Sequence, residues 1–125
     1  MILADTSIWI EFLRRRSPVF EHMLFLLEHG EITTVEAIFG ELLQGAKGAR
    51  ERRILLAYWD SLDPIPMEGL WIKAGLESGE KKWPSKGLGL IDASILSAVE
   101  EVGCTLWTLD KKLLSEADKS SDPSL

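Results

Sequence analysis

Four acidic residues each border an apolar run. Asp92 interrupts GLGLIDASIL (87–96), Asp5 ends the run ILA, Asp110 follows CTLWTL (104–109), and Glu41 sits beside Leu42 and one turn from Ile38. On a helix stepping about 100° per residue from Leu90, one side carries Ile91, Ile95, Ala98, Val99 and Val102, with Leu96 at its edge. Asp92 points between Val99 and Leu96, onto the face that ought to be buried. An unpaired carboxylate there costs on the order of several kcal/mol, so something must compensate it. The other three acids have ordinary readings too: Asp5 before Thr6 and Ser7, and Asp110 before Lys111 and Lys112, fit helix caps, and Glu41 fits a solvated helix edge. Should the four converge, their like charges cannot all persist without a counter-charge. A divalent cation resolves this, and Mg2+ or Mn2+ prefers such oxygen ligands. The two histidines, His22 and His29, lie in one expected helix, and there is one cysteine, Cys104, so zinc is disfavoured. An acidic magnesium cluster suits phosphodiester hydrolysis, since the metal supplies a hydroxide and stabilises the departing oxygen.

The elements that must position these acids alternate. Met1 to Ala4 reads as a buried strand, followed by a helix from about Ser7 to Arg16 and another from Ser17-Pro18 to Gly30. EITTV (31–35) is the second strand and leads into a helix carrying Ile38, Phe39, Leu42 and Leu43. A helix over Gly48 to Asp60 follows, then LDPIP (62–66), whose two prolines favour an edge strand or a loop. Met67 to Lys82 is helical, WPSKGLG is a loop, and CTLWTL is a buried strand after the helix that holds Asp92. Beyond Leu114, SEADKSSDPSL has almost no core-forming residues, so the expected division is a domain over 1–114 and a polar, frayed tail over 115–125. Alternating strands and helices imply a parallel sheet covered by helices on both faces. Ligands of such folds bind beyond the carboxyl ends of the strands, where Asp5 and Asp110 both lie.

Bulk properties limit the partners. A chain of 125 residues that is 46% hydrophobic supports one domain with a real core. A net charge of -6 argues against a protein that merely coats nucleic acid or anionic membrane, yet leaves nucleic acid open as a substrate. The basic residues are bunched at Arg14-Arg15-Arg16, at Lys47 with Arg50, Arg52 and Arg53, and at Lys81-Lys82 with Lys86. They read either as solvated helix faces or as a local basic rim able to hold phosphates. One cysteine rules out an internal disulfide. The amino-terminal stretch carries its positive charges after its apolar run, the reverse of a signal peptide, and no segment reaches the ~20 apolar residues of a membrane helix. A cytoplasmic protein with no membrane contact is expected. Of the five tryptophans, Trp107 is expected mainly in the core, while Trp9, Trp59, Trp71 and Trp83 divide evenly between core and interface.

The stretches ADTSIWIEFL, IFGELLQG, GLIDASILSA and LWTLDKKL together resemble the PIN-domain nucleases, and within them the VapC-type toxins of toxin–antitoxin pairs, over residues 2–114. The resemblance implies a three-layer α/β/α sandwich around a parallel sheet of four to five strands. The last strand should be short or missing, since SEADKSSDPSL offers little to build it. It also implies a metal-dependent endoribonuclease whose acidic site is Asp5, Glu41, Asp92 and Asp110. Asp5 and Asp92 would ligate Mg2+ directly, with Glu41 and Asp110 doing so directly or through water, while Ser7 and Thr108 fit the hydroxyl positions beside them. A homodimer and a cognate antitoxin binding near the site are implied as well. Two other readings compete. A phosphatase or phosphotransfer domain also places aspartates at strand ends, but the first strand lacks a second aspartate two residues on. A non-catalytic dimerisation or antitoxin-binding module would keep the fold alone, and the presence of all four acids argues against it.

Overall fold

The computed structural model describes residues 1–121. Strand β1 (Ile2–Ala4) leads into helices α1 (Thr6–Leu13) and α2 (Val19–Glu28), and β2 (Ile32–Thr33) leads into α3 (Glu36–Gln44) and α4 (Ala49–Ser61). Helix α5 (Leu70–Lys81), a short 3-10 turn (Trp83–Lys86) and α6 (Leu90–Val102) precede β3 (Thr105–Trp107) and α7 (Lys111–Ser121). All pairings are parallel, in the order β2-β1-β3, with Leu3 opposite both Thr33 and Leu106. The helices flank this sheet in a three-layer α/β/α arrangement, α5 packing on α6 and α6 on α7. The central strand is covered on both faces, which is why Leu3 and Ala4 are fully buried and why ILA carries no alternation.

Two expectations are corrected. Among the described residues the sheet has three strands, not four to five. LDPIP is no strand because Pro64 and Pro66 have no N–H to donate; its backbone bond toward the β2 side is a single one, Ile65 N–H to Thr34 O at 2.9 Å. The second correction concerns the frayed tail, which is helical as far as Ser121; residues 122–125 lie outside the described part. Leu113 and Ala117, one turn apart, dock α7 on the core. The buried Glu116 accepts the Trp83 indole N–H at 3.1 Å and pairs with Lys86 at 3.1 Å and Lys119 at 3.3 Å. Burial pushes the Glu116 carboxyl up, but its bonds to Lys86, Trp83 and Lys119 outweigh this and hold it below the ordinary range.

The core between α1, α3 and α4 is aromatic. Trp9 is fully buried, with ring centroids 5.1 Å from Phe39, 5.4 Å from Tyr58 and 5.8 Å from Phe12. Trp83 is fully buried as well, whereas Trp107, expected mainly in the core, is half-buried against the His22 ring at 4.9 Å. No helix among the described residues is long and apolar enough to cross a membrane.

Candidate active site

The carboxyl ends of β1 and β3 lie side by side, with Asp5 N–H bonded to Trp107 O at 3.1 Å. Asp5 is 6% exposed and caps α1, its Oδ1 accepting Ile8 N–H at 3.3 Å. Two hydroxyls complete its shell: Ser7 Oγ donates to Oδ1 at 2.5 Å, and Thr108 Oγ1 donates to Oδ2. Each hydroxyl in turn accepts a backbone N–H, Ser7 from Leu109 at 3.0 Å and Thr108 from Asp110 at 2.9 Å. Because a hydroxyl has a single proton, these accepted bonds leave it aimed at Asp5. The site is thus built into the backbone of the β3–α7 connection.

Asp92 is the third residue of α6 and half-buried, and its Oδ2 accepts the Gly89 N–H at 3.2 Å. This bond closes an open amide at the helix start and is part of the compensation that the sequence demanded. It is not enough. Burial pushes the Asp92 carboxyl above its ordinary range, the Gly89 N–H opposes this, and the Asp110 and Asp5 carboxylates raise it further. Asp5 and Asp110 are thus both within electrostatic reach of Asp92.

Asp110 is exposed and caps α7, its Oδ1 accepting Lys112 N–H at 2.9 Å and Leu113 N–H at 3.2 Å. Glu41 is exposed on α3 and accepts the Thr6 hydroxyl at 2.9 Å, which ties it to the residue after Asp5. The capping readings of Asp5 and Asp110 and the exposed-edge reading of Glu41 therefore hold, and they hold at one end of the sheet. Thr6 escaped the sequence reading, since a threonine at a helix start signals only a local role; its bond spans 35 positions.

Among the described residues, no group of three or more His, Cys, Asp or Glu side chains is set to hold a metal ion. The donors nevertheless suit Mg2+ in kind. They are oxygens alone, and like-charge repulsion at Asp92 is what a cation relieves. Mg2+ also keeps most of its waters and needs about one or two carboxylates directly. The histidines are engaged elsewhere, His22 on Trp107 and His29 on Phe25 at 4.1 Å.

Over nearly the whole chain, residues 2–120, the sequence matches a known family model, the PIN domain. The chain belongs to the PIN-domain family. Within it the chain is a VapC-type PIN nuclease: it is 32% identical over 121 residues to Ribonuclease VapC32 of Mycobacterium tuberculosis strain CDC 1551 / Oshkosh, covering 96% of this chain and 93% of that protein. Ribonuclease VapC32 of strain ATCC 25618 / H37Rv matches with the same identity and coverage. For a PIN domain, the match runs past Leu114 into α7, in keeping with the docking of that helix on the core.

Proposed function

We propose that this PIN domain is a magnesium-dependent endoribonuclease acting as the toxin of a toxin–antitoxin pair. The observation that carries the reading is Asp5, a carboxylate buried at the sheet edge, fixed by two hydroxyls from opposite ends of the chain, with Asp92 and Asp110 charged against each other nearby. Asp5 and Asp92 would hold the ion, and Glu41 and Asp110 would complete its surroundings directly or through bound water. When bound, Mg2+ (or Mn2+) supplies a nucleophilic water near neutral pH and neutralises phosphate charge. The chain's own groups do the rest: Ser7 and Thr108 keep the Asp5 oxygens aimed, Gly89 N–H fixes Asp92, and Thr6 restrains Glu41.

Asp5→Asn tests this, because asparagine still caps a helix. Cleavage of RNA and inhibition of growth should both be lost while the far-ultraviolet spectrum stays unchanged; retained cleavage would sink the proposal. The non-catalytic alternative keeps the fold and its binding surface without a metal. Titration with Mg2+ separates the two, a rise in melting temperature supporting the nuclease and no response supporting the binding module. A homodimer is supported by Ile72 and Leu76, one turn apart on α5 and 73% and 66% exposed, since such apolar pairs mark association surfaces. The mass of the protein in solution decides that point.

A further inference from the structure

The site opens on one side into a groove of about 680 Å³ between α1, α3 and α4. Thr6 and Glu41 line it, as do Arg14, Arg15, Lys47 and Arg50, and apolar side chains of the three helices complete its walls. This concentration of positive charge occurs on a chain whose net charge is -6. Among the described residues none of the four cations is in an ion pair, whereas Arg16, next in the run, is paired with Glu11 at 3.0 Å and does not line the groove. The one acid placed among them, Glu51, accepts the backbone N–H of Lys47 at 3.3 Å. Arg15 adopts φ 55°, the left-handed turn with which α1 ends, its N–H bonded to Phe12 O at 3.0 Å.

We propose that this groove holds the phosphate backbone of the RNA strand on one side of the cleaved bond, with Arg14, Arg15, Lys47 and Arg50 as its phosphate contacts. The inference rests on the ribonuclease reading above. A strand crossing the Asp5 end of the sheet meets Thr6 and Glu41, and the groove is the cation-lined path that continues from them. Unpaired cations favour a polyanion because no existing ion pair has to be broken, and binding releases counterions. The same cations offset the repulsion that a molecule of net negative charge exerts on RNA.

The test compares wild type, the Arg14→Gln/Arg50→Gln double variant and Arg16→Gln on a 20-nucleotide single-stranded RNA and on a dinucleotide, whose single phosphodiester is the bond to be cleaved and leaves no phosphate for the groove. For the long RNA, loss of two phosphate contacts should reduce the slope of log affinity against log salt by about 1.4 and raise KM about tenfold. Cleavage of the dinucleotide and all behaviour of Arg16→Gln should be unchanged. Equal effects on both RNAs, no effect on either, or the same effect from Arg16→Gln would overturn the proposal. If the double variant fails to fold by circular dichroism, the single variants replace it, each expected to lower the slope by about 0.7. If wild type cleaves no RNA at all, the ribonuclease reading falls, and anisotropy with the uncleaved 20-mer still tests the groove by the same slopes. A double variant that binds RNA normally but releases polyglutamate would assign the groove to an acidic protein instead.

Discussion

Replacing Thr108 with valine removes one hydroxyl and keeps the shape of the side chain, so it isolates what that oxygen does. Thr108 is buried and makes two bonds, donating to Asp5 Oδ2 and accepting Asp110 N–H at 2.9 Å. A hydrogen bond to a charged acceptor is worth about 1.5–3 kcal/mol, and the abandoned Asp110 amide adds about 1 kcal/mol. Little of this is screened at the Asp5 end, since Asp5 is 6% exposed. The expected loss is therefore about 2.5–4 kcal/mol. In a domain of this size that lowers the melting temperature by roughly 10 °C or more. Thr108→Ser retains the hydroxyl and should cost no more than about 1 kcal/mol for the missing methyl. Urea unfolding of the three proteins provides the comparison, with RNA cleavage measured below the unfolding transition of the weakest. Valine should lower kcat even where the protein is fully folded, because Asp5 has lost one of the two groups that aim it. If valine and serine variants unfold within about 0.5 kcal/mol of each other and cleave alike, the hydroxyl relay contributes nothing and the reasoning is refuted.

Two further predictions concern charge. The Asp92 carboxyl is raised in the fold, first by burial and then by Asp110 and Asp5, with the Gly89 N–H opposing, so its contribution is present below the unfolded carboxylate range and lost as pH climbs through the folded value. In the absence of metal, Asp92→Asn, which can still accept the Gly89 N–H, should melt higher than wild type at neutral pH, the gap closing on acidification; a lower melting temperature at neutral pH would contradict this. Glu116 has the opposite sign: burial raises its carboxyl, but Lys86, Trp83 and Lys119 prevail and depress it, so its contribution is present above the unfolded range and lost as pH falls through the folded value. Glu116→Ala leaves the fully buried Trp83 indole N–H without its acceptor and should cost about 1–3 kcal/mol in urea unfolding at neutral pH, with a red shift in tryptophan emission on loss of α7 docking.

The elements were legible where one face of an element dictates its residues. The run ILA has no polar position because β1 is buried on both sides, and the α6 pattern places Ala93, Ile95, Leu96 and Ala98 in the core. Asp92 was the informative exception. Its neighbours predicted burial of a charge, and the structure shows a half-buried carboxylate that a cap relieves and two other acids disturb. What stayed hidden depends on contacts distant in sequence. The bond from Thr6 to Glu41 has no local signature. The tail reads as frayed for want of core-forming residues, yet Glu116 is buried through its bonds to Trp83 and Lys86, 33 and 30 positions away. The spacing of Leu113 and Ala117 was the available signal, and a short helix with one apolar turn gives it weakly.

The central position of β1 has a consequence for when the protein can act. Strand β1 precedes both of its neighbours in the chain yet is the middle of the sheet, and one of those neighbours, β3, follows only after six helices. Asp5 and Thr108 are 103 positions apart, so the shell around the first acid closes only after β3 has been synthesised. Ordering that loop is a late and slow event compared with forming the local helices. A nascent or truncated chain therefore carries Asp5 without the hydroxyl that aims it. For an enzyme proposed to attack RNA in the cell that makes it, this topology delays an assembled site until β3 has emerged and docked.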